Sequence, residues 1–340
     1  MAYFLSVNYL LFIPLAIALD FLLGDPLSWP HPVKLIGRML DGLEKFLLSA
    51  LTFQKTAGVV CVLAAALAAG GSVFALLDCA RGVAYAVLAV YLAYAALALG
   101  CLLREGRRAN ALISAVDARR FSSPELEAAR KAVSLLVSRD VSRLQKPALY
   151  RTLAETLSEN FNDAFIAPLF WLLLGGQTGV WVYKCVSTAD SRWGYRHDPW
   201  SRRGWAAARL DDFLAFIPAR LSAVLLYMAS SAEGRKAWPS WAALRRDAAR
   251  MESPNAGWSM AAAAWLHGAG MGGPAVYAGK IKEKPCLGPH ITGESAWNED
   301  KIAGLLAHLR KAGLLGAALL WAAPLAAVGL ARGFRALLAG

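Results

Sequence analysis

Hydrophobic positions along the chain are gathered into blocks. Mostly apolar runs occupy residues 7–23, 57–79, 83–103 and 314–331, with weaker ones at 165–183 and 213–230. A helix of roughly 20 apolar residues spans the hydrocarbon core of a bilayer, so each block is a candidate span. Mixed polar and apolar stretches separate them at 104–164, 184–212 and 231–313. The first of these contains SPELEAARKAVSLLVSR, in which Ser123 is placed to cap a helix, Pro124 to occupy its first turn, and Glu125 and Glu127 to favour its dipole. Leu126, Ala129, Val133, Leu136 and Val137 then recur at helical spacing. The third is interrupted by Pro254, Pro274, Pro285 and Pro289, and no strand-rich region or internal repeat stands out. The predicted fold class is all-α, a polytopic integral membrane helical protein with helical cytosolic segments.

Composition agrees: 57% of residues are hydrophobic and 18% charged, against roughly 25% charged in soluble domains, and the mean hydropathy is +0.41. The first run has no basic start and no A-x-A cleavage site, so it reads as a retained helix. The net charge is +12, with Arg104, Arg107 and Arg108 after the third run and Arg332 and Arg335 after the last. Basic flanks of this kind face the cytoplasm and meet lipid headgroups, and no motif supports nucleic-acid binding. Five scattered cysteines lack metal-ligand or disulfide spacing and read as apolar filler.

Candidate chemistry concentrates in RTLAETLSENFNDAFIAPLF. Glu155, Glu159 and Asp163 are spaced i, i+4, i+8, which stacks three carboxylates on one helical face about 6 Å apart per step. The face leads into the apolar FIAPLFWLLLGG, where unpaired charge is expensive. A cation must compensate them, and Mg²⁺, which takes one or two carboxylates plus phosphate oxygens, is the natural candidate; the alternative is a solvated acidic face. A second cluster offers Lys184, Asp190 and Arg196, then Arg209, Asp211, Asp212 and Arg220. Arg220 sits in an apolar run beside Pro218 and needs an anionic partner, either a substrate group or Asp211 or Asp212. The clusters flank residues 165–183, so a single site requires that segment to be re-entrant or broken, and Gly175 and Gly176 mark the place.

The stretch LDFLLGDPLSWPHP holds Asp20 inside an apolar run, where it pairs with a base such as Arg220, and Asp25 at the run's end, accessible to substrate. Pro26, Pro30 and Pro32 stiffen the exit around His31. GGPAVYAGKI misses a P-loop, with five residues between Gly273 and Gly279 and Ile281 at the Ser/Thr position.

In order, LDFLLGDPLSWPHPVKLIGRM, ETLSENFNDAFIAPLF, GVWVYKCVSTADSRWGYR, RLDDFLAFIPARL and SPNAGWSMAAAA resemble the CobD/CbiB family of adenosylcobinamide-phosphate synthases, from about residue 10 to about residue 330. The resemblance implies one membrane domain over 1–340, multi-pass in the inner cell membrane with a cytoplasmic active site. It implies ATP-dependent, Mg²⁺-dependent joining of (R)-1-aminopropan-2-ol or its O-phosphate to adenosylcobyric acid, with the lipid bilayer and later membrane enzymes of the cobalamin pathway as partners. The chain departs from the family pattern at Ser187, Thr188 and Ala189 before Asp190, and at Ser259.

On that basis Glu155, Glu159 and Asp163 are assigned to Mg²⁺ with help from Asp190, and Lys184, Arg209 and Arg220 to phosphate charge. Asp25 or Asp212 receives the amine proton, and Asn160 and Asn255 orient substrate. His31 either donates to a phosphate or holds its turn. Trp193, Trp200, Trp205 and Trp258 either support the corrinoid or form an interfacial belt. The competing functions are a membrane signalling protein resembling AmpE and a transporter.

Overall fold

The apolar blocks fold as helices. In the computed structural model, residues 7–25, 29, 31–49, 52–117, 123–195, 198–231, 238–277, 279–289 and 296–339 are described. In chain order, α1 (Val7–Leu23), α2 (Pro32–Ser49), α3 (Gln54–Cys79), α4 (Gly82–Tyr94), α5 (Leu99–Ser114), α6 (Pro124–Ser134) and α7 (Lys146–Phe161) lead into a π turn (Asn162–Ile166) and α8 (Ala167–Trp193). Next come α9 (Trp200–Arg203), α10 (Trp205–Leu214), α11 (Phe216–Ala229), α12 (Trp241–Ala248) and α13 (Ala256–Leu266). An antiparallel hairpin of β1 (Met271–Tyr277) and β2 (Lys280–Leu287) precedes the long α14 (Glu299–Ala339).

Four helical stretches are long and apolar enough to cross a membrane, Gln54–Cys79, Gly82–Ser114, Lys146–Trp193 and Glu299–Ala322, with Trp205–Leu214 and Phe216–Ala229 together making a fifth. The fold is that of an all-α, multi-pass membrane protein. On α3, Val60, Leu63, Leu67 and Phe74 are exposed while Cys61, Val62, Ala65, Ala66 and Val73 are buried. A helix apolar on both faces needs lipid on the outer one.

Two compact units result, one of Met1–Ala98, Ala167–Ala215 and Gly316–Gly340, the other of Leu99–Ile166 and Phe216–Leu315. In the first, α3 packs against α8 and α1 against α4. Midway, α8 is broken where Gly176 adopts φ 64° and ψ −161°, a left-handed backbone that glycine tolerates best. The broken helix expected from the glycine pair is present. Past the break, Gln177 Nε2 donates to Ala89 O at 3.1 Å and Trp181 Nε1 to Leu92 O at 3.0 Å. Leu92 is in the last turn of α4, so Trp181 satisfies a carbonyl that the helix itself leaves unpaired. The apolar run 83–103, expected as one span, lies within the candidate span Gly82–Ser114, where α4 and α5 are separated at residues 95–98.

In the second unit α5 packs on α6 and α7, and α11 on α13. Ser123 Oγ accepts from the Leu126 N–H at 3.2 Å, the cap expected for α6. The hairpin was not expected from the sequence. Its irregularity lies between Met271 and Gly273, where Gly272 has φ 98° and a Cβ would fall 2.1 Å from Pro285 O. Only glycine fits so close an approach.

Near the hairpin, His267 Nε2 meets His308 Nδ1 at 3.1 Å, and His308 Nε2 meets Leu226 O at 2.7 Å. A carbonyl can only accept, so His308 Nε2 carries a proton, its Nδ1 accepts, and His267 donates from Nε2. Burial pushes the His267 imidazole down to about 3, aided by His308 and Lys301. The unfolded chain therefore binds more protons than the fold between the ordinary histidine range and pH 3. The His267 contribution to stability is complete above about pH 6.5 and is lost as pH falls through that window, at up to about 1.4 kcal/mol per pH unit. Melting temperature followed from pH 7 to pH 4.5 in detergent should fall less steeply for His267→Gln than for the unmodified protein; parallel curves would contradict this.

Candidate active site

Glu155 on α7 is 0% exposed. Its Oε2 takes Arg139 Nη2 at 2.5 Å with Lys284 Nζ at 4.0 Å, and its Oε1 accepts the Gly272 N–H at 2.8 Å. Burial would push the Arg139 guanidinium down, but Glu155 beside it, with Tyr277 and Glu159, more than reverses this and raises it. The charge expected to need a metal ion is thus compensated by protein cations. Among the described residues no group of three or more His, Cys, Asp and Glu could hold a metal ion, and the stacked three-carboxylate face is not formed. The α periodicity that would align it ends at Phe161, where the π turn begins.

Glu159 and Asp163 remain, both half-buried. Among the described residues Glu159 makes no ion pair, and Asp163 Oδ1 accepts from Asn162 Nδ2 at 2.7 Å. Two carboxylates fit Mg²⁺ only if phosphate oxygens and water complete its shell, so the donor set suits a substrate-completed ion and not a closed cage. Asn160 bonds back onto its helix, donating to Thr156 O at 3.0 Å and Thr156 Oγ1 at 2.9 Å.

From the π turn the polar contacts continue to α11. Ser222 Oγ lies 3.1 Å from Asn162 Oδ1 and 3.0 Å from Pro218 O, its single proton shared between the two acceptors. Two residues earlier, Arg220 Nη1 donates to Asn255 Oδ1 at 2.8 Å and to Phe216 O at 2.7 Å, and its guanidinium lies 3.5 Å from the Phe216 ring centroid and 4.9 Å from that of Trp258. The expected pairing of Arg220 with Asp20, Asp211 or Asp212 is not formed; among the described residues Arg220 has no carboxylate partner. A neutral amide, backbone carbonyls and two aromatic faces orient it and leave its charge unneutralised.

In the first unit, His31 Nε2 lies 3.5 Å from Asp25 Oδ1 while His31 Nδ1 accepts the Val33 N–H at 3.2 Å. Nδ1 is therefore unprotonated and Nε2 carries the proton facing Asp25. Tyr94 OH donates to Gly24 O, pinning the exit of α1. Arg209 Nη1 is 3.4 Å from Asp212 Oδ2, an i, i+3 pair of an exposed arginine and a half-buried carboxylate, so Arg209 is held by its own helix. Lys184 and Asp190 are half-buried on α8. Asp20 is fully buried in α1, and Trp193 is only 1% exposed, which excludes Trp193 as a flat surface for a large substrate. Trp205, 43% exposed, has Lys55 Nζ 5.3 Å above its ring. Arg196, Pro26 and Pro30 lie outside the described residues.

Sequence reasoning missed Arg139, Lys284 and Gly272. The charges of SRDVSRLQK and KIKEKP carry no periodicity that would have linked them to Glu155; the paired glycines of GGPAVYAGKI were the one available signal.

A multi-pass helical protein with polar groups buried at helix breaks is the class defined by this arrangement. The CobD/CbiB protein family matches residues 13–309, and the chain belongs to that family. It is 38% identical over 280 residues to the cobalamin biosynthesis protein CobD of Geobacter metallireducens, covering 80% of this chain and 84% of that one. CobD of Listeria monocytogenes is 35% identical over 284 residues, covering 82% and 88%. The cobalamin biosynthesis protein CbiB of Salmonella typhi is 35% identical over 293 residues, covering 81% and 85%. No solved structure matches the chain.

Removing one partner of a buried ion pair strands the other, at a cost of roughly 3–5 kcal/mol. Glu155→Gln should therefore lower the melting temperature sharply or abolish membrane accumulation, whereas Glu159→Gln, with no ion pair to lose, should melt like the unmodified protein. Equal melting of the two variants would refute the structural role of Glu155.

Proposed function

We propose that the chain acts in cobalamin biosynthesis as an ATP-dependent amide ligase, joining aminopropanol or its O-phosphate to a propionate carboxylate of adenosylcobyric acid. Family membership supports the pathway. The observation that carries the chemistry is the Ser222 to Asn162 hydrogen bond of 3.1 Å, which ties the helix bearing the carboxylate-free Arg220 to the turn bearing Asp163.

A carboxylate and an amine do not condense in water unless the carboxylate is first activated, and phosphoryl transfer from ATP to it makes phosphate the leaving group. Charge accumulates on the phosphate oxygens, so positioning and electrostatics carry most of the catalysis. Arg220 is the group for that charge, held in one orientation by Asn255. Glu159 and Asp163 are the ligands for Mg²⁺, which supplies neutralisation of phosphate charge when bound.

The amine must lose a proton to attack, and Asp25, beside the protonated Nε2 of His31, and Asp212 are the carboxylates assigned to it. His31 holds its turn, its Nδ1 accepting the Val33 N–H and its Nε2 facing Asp25. Asn160, bonded to Thr156, orients substrate. Glu155 takes no part. The reaction is assigned to the cytoplasmic side of the inner membrane, with the corrinoid supported by exposed tryptophans such as Trp205.

Purified protein should consume ATP only when Mg²⁺, adenosylcobyric acid and the amine are all present. Glu159→Ala and Asp163→Ala should abolish amide formation. Arg220→Lys should lower kcat by roughly a hundredfold, as loss of one preorganised donor does, with the fold intact by circular dichroism. Full activity in both carboxylate variants, or ATP consumption independent of the two substrates, would overturn the reading.

A further inference from the structure

Within the second unit, a cavity of about 520 Å³ opens between α5 and the first half of α14. Its lining includes Arg107, Asn110, Glu299, Leu306, Arg310 and Lys311. Among the described residues, none of Arg107, Arg310 and Lys311 forms an ion pair or hydrogen bond, so three cations face a space that holds one carboxylate, that of Glu299. Elsewhere on the same helix Arg108 is 3.9 Å from Glu105.

Asn110, 8% exposed, anchors the wall, its Nδ2 donating to Glu299 O at 3.2 Å.

We propose that this cavity binds a phosphate group, held by Arg107, Arg310 and Lys311. The volume is in the range of small-molecule sites. The remaining wall, including Leu306, is apolar and suits a hydrocarbon portion. Arg107 follows the apolar run 83–103, and Arg310 and Lys311 precede the run 314–331. These are positions at which cations meet phospholipid headgroups. The same phosphate chemistry is presented by a soluble phosphate ester. The site is independent of the ligase reaction and of the residues assigned to it.

Native mass spectrometry of the full-length protein in detergent tests it with two probes that share a headgroup, phosphatidylglycerol and glycerol 3-phosphate. One molecule should bind saturably. Arg107→Gln and Arg310→Gln should each weaken binding by about tenfold or more, as expected for loss of a charge-assisted hydrogen bond. Arg310→Lys should retain binding, and Arg108→Gln should leave it unchanged. Saturation by phosphatidylglycerol alone assigns the site to lipid, and saturation by glycerol 3-phosphate assigns it to a soluble ester. Failure of both probes to bind, or equal binding by the unmodified protein and the Arg107 and Arg310 variants, overturns the proposal. The substituted cations are exposed, so the variants should fold, and unchanged melting temperatures would verify that.

Discussion

A carboxylate buried to 0% exposure among apolar helices has to be answered by positive charge and hydrogen bonds, and Glu155 is answered from three directions. Arg139 comes from the segment after α6, Lys284 from β2, and the Gly272 N–H from β1. One charge thus fastens the hairpin and the preceding loop onto α7. The ion pair is weak evidence for net stability, because desolvating two charges offsets much of their attraction. Its effect is on arrangement: each alternative packing of the hairpin would leave a buried charge uncompensated.

The same constraint, applied to Arg220, has the opposite outcome. Its guanidinium is oriented by Asn255, by backbone carbonyls and by the faces of Phe216 and Trp258, all of which fix geometry without cancelling charge. Where Glu155 is saturated and serves the fold, Arg220 is aimed and unneutralised. Conformational positions follow that division. Glu155 sits within a regular stretch of α7, while Asp163 sits in a π turn and Asn255 at the start of α13. Helix interruptions of this kind release backbone groups and favour sites of chemistry over sites of packing.

Membrane class was legible because apolar runs of about 20 residues have few other uses, and the α8 break was legible because Gly175 and Gly176 fall mid-run. The cap at Ser123 follows from local chemistry alone. By contrast, the end of α4 falls in Ala95, Ala96, Leu97 and Ala98, all helix formers, and Trp181 takes the freed Leu92 carbonyl from 89 residues away. Long-range hydrogen bonds leave no local trace. The three-carboxylate face failed for a related reason. A spacing of i, i+4, i+8 assumes an unbroken α-helix, and the π turn that ends it at Phe161 has no residue signature in SENFNDAF.

Cations in a membrane protein are read first as topology signals, and most of the 36 lysines and arginines here need no further account. Surroundings separate the exceptions. Arg130 is paired with Glu127, Arg192 with Asp41 and Lys282 with Glu252, and each of these is an ordinary surface or semi-buried contact. Arg220 is set beside two aromatic faces without a carboxylate, and Arg107, Arg310 and Lys311 share the wall of one cavity. A positive-inside bias places cations near the membrane surface but gives no reason for several of them to line one cavity, so the cavity is better explained by an anionic ligand than by topology.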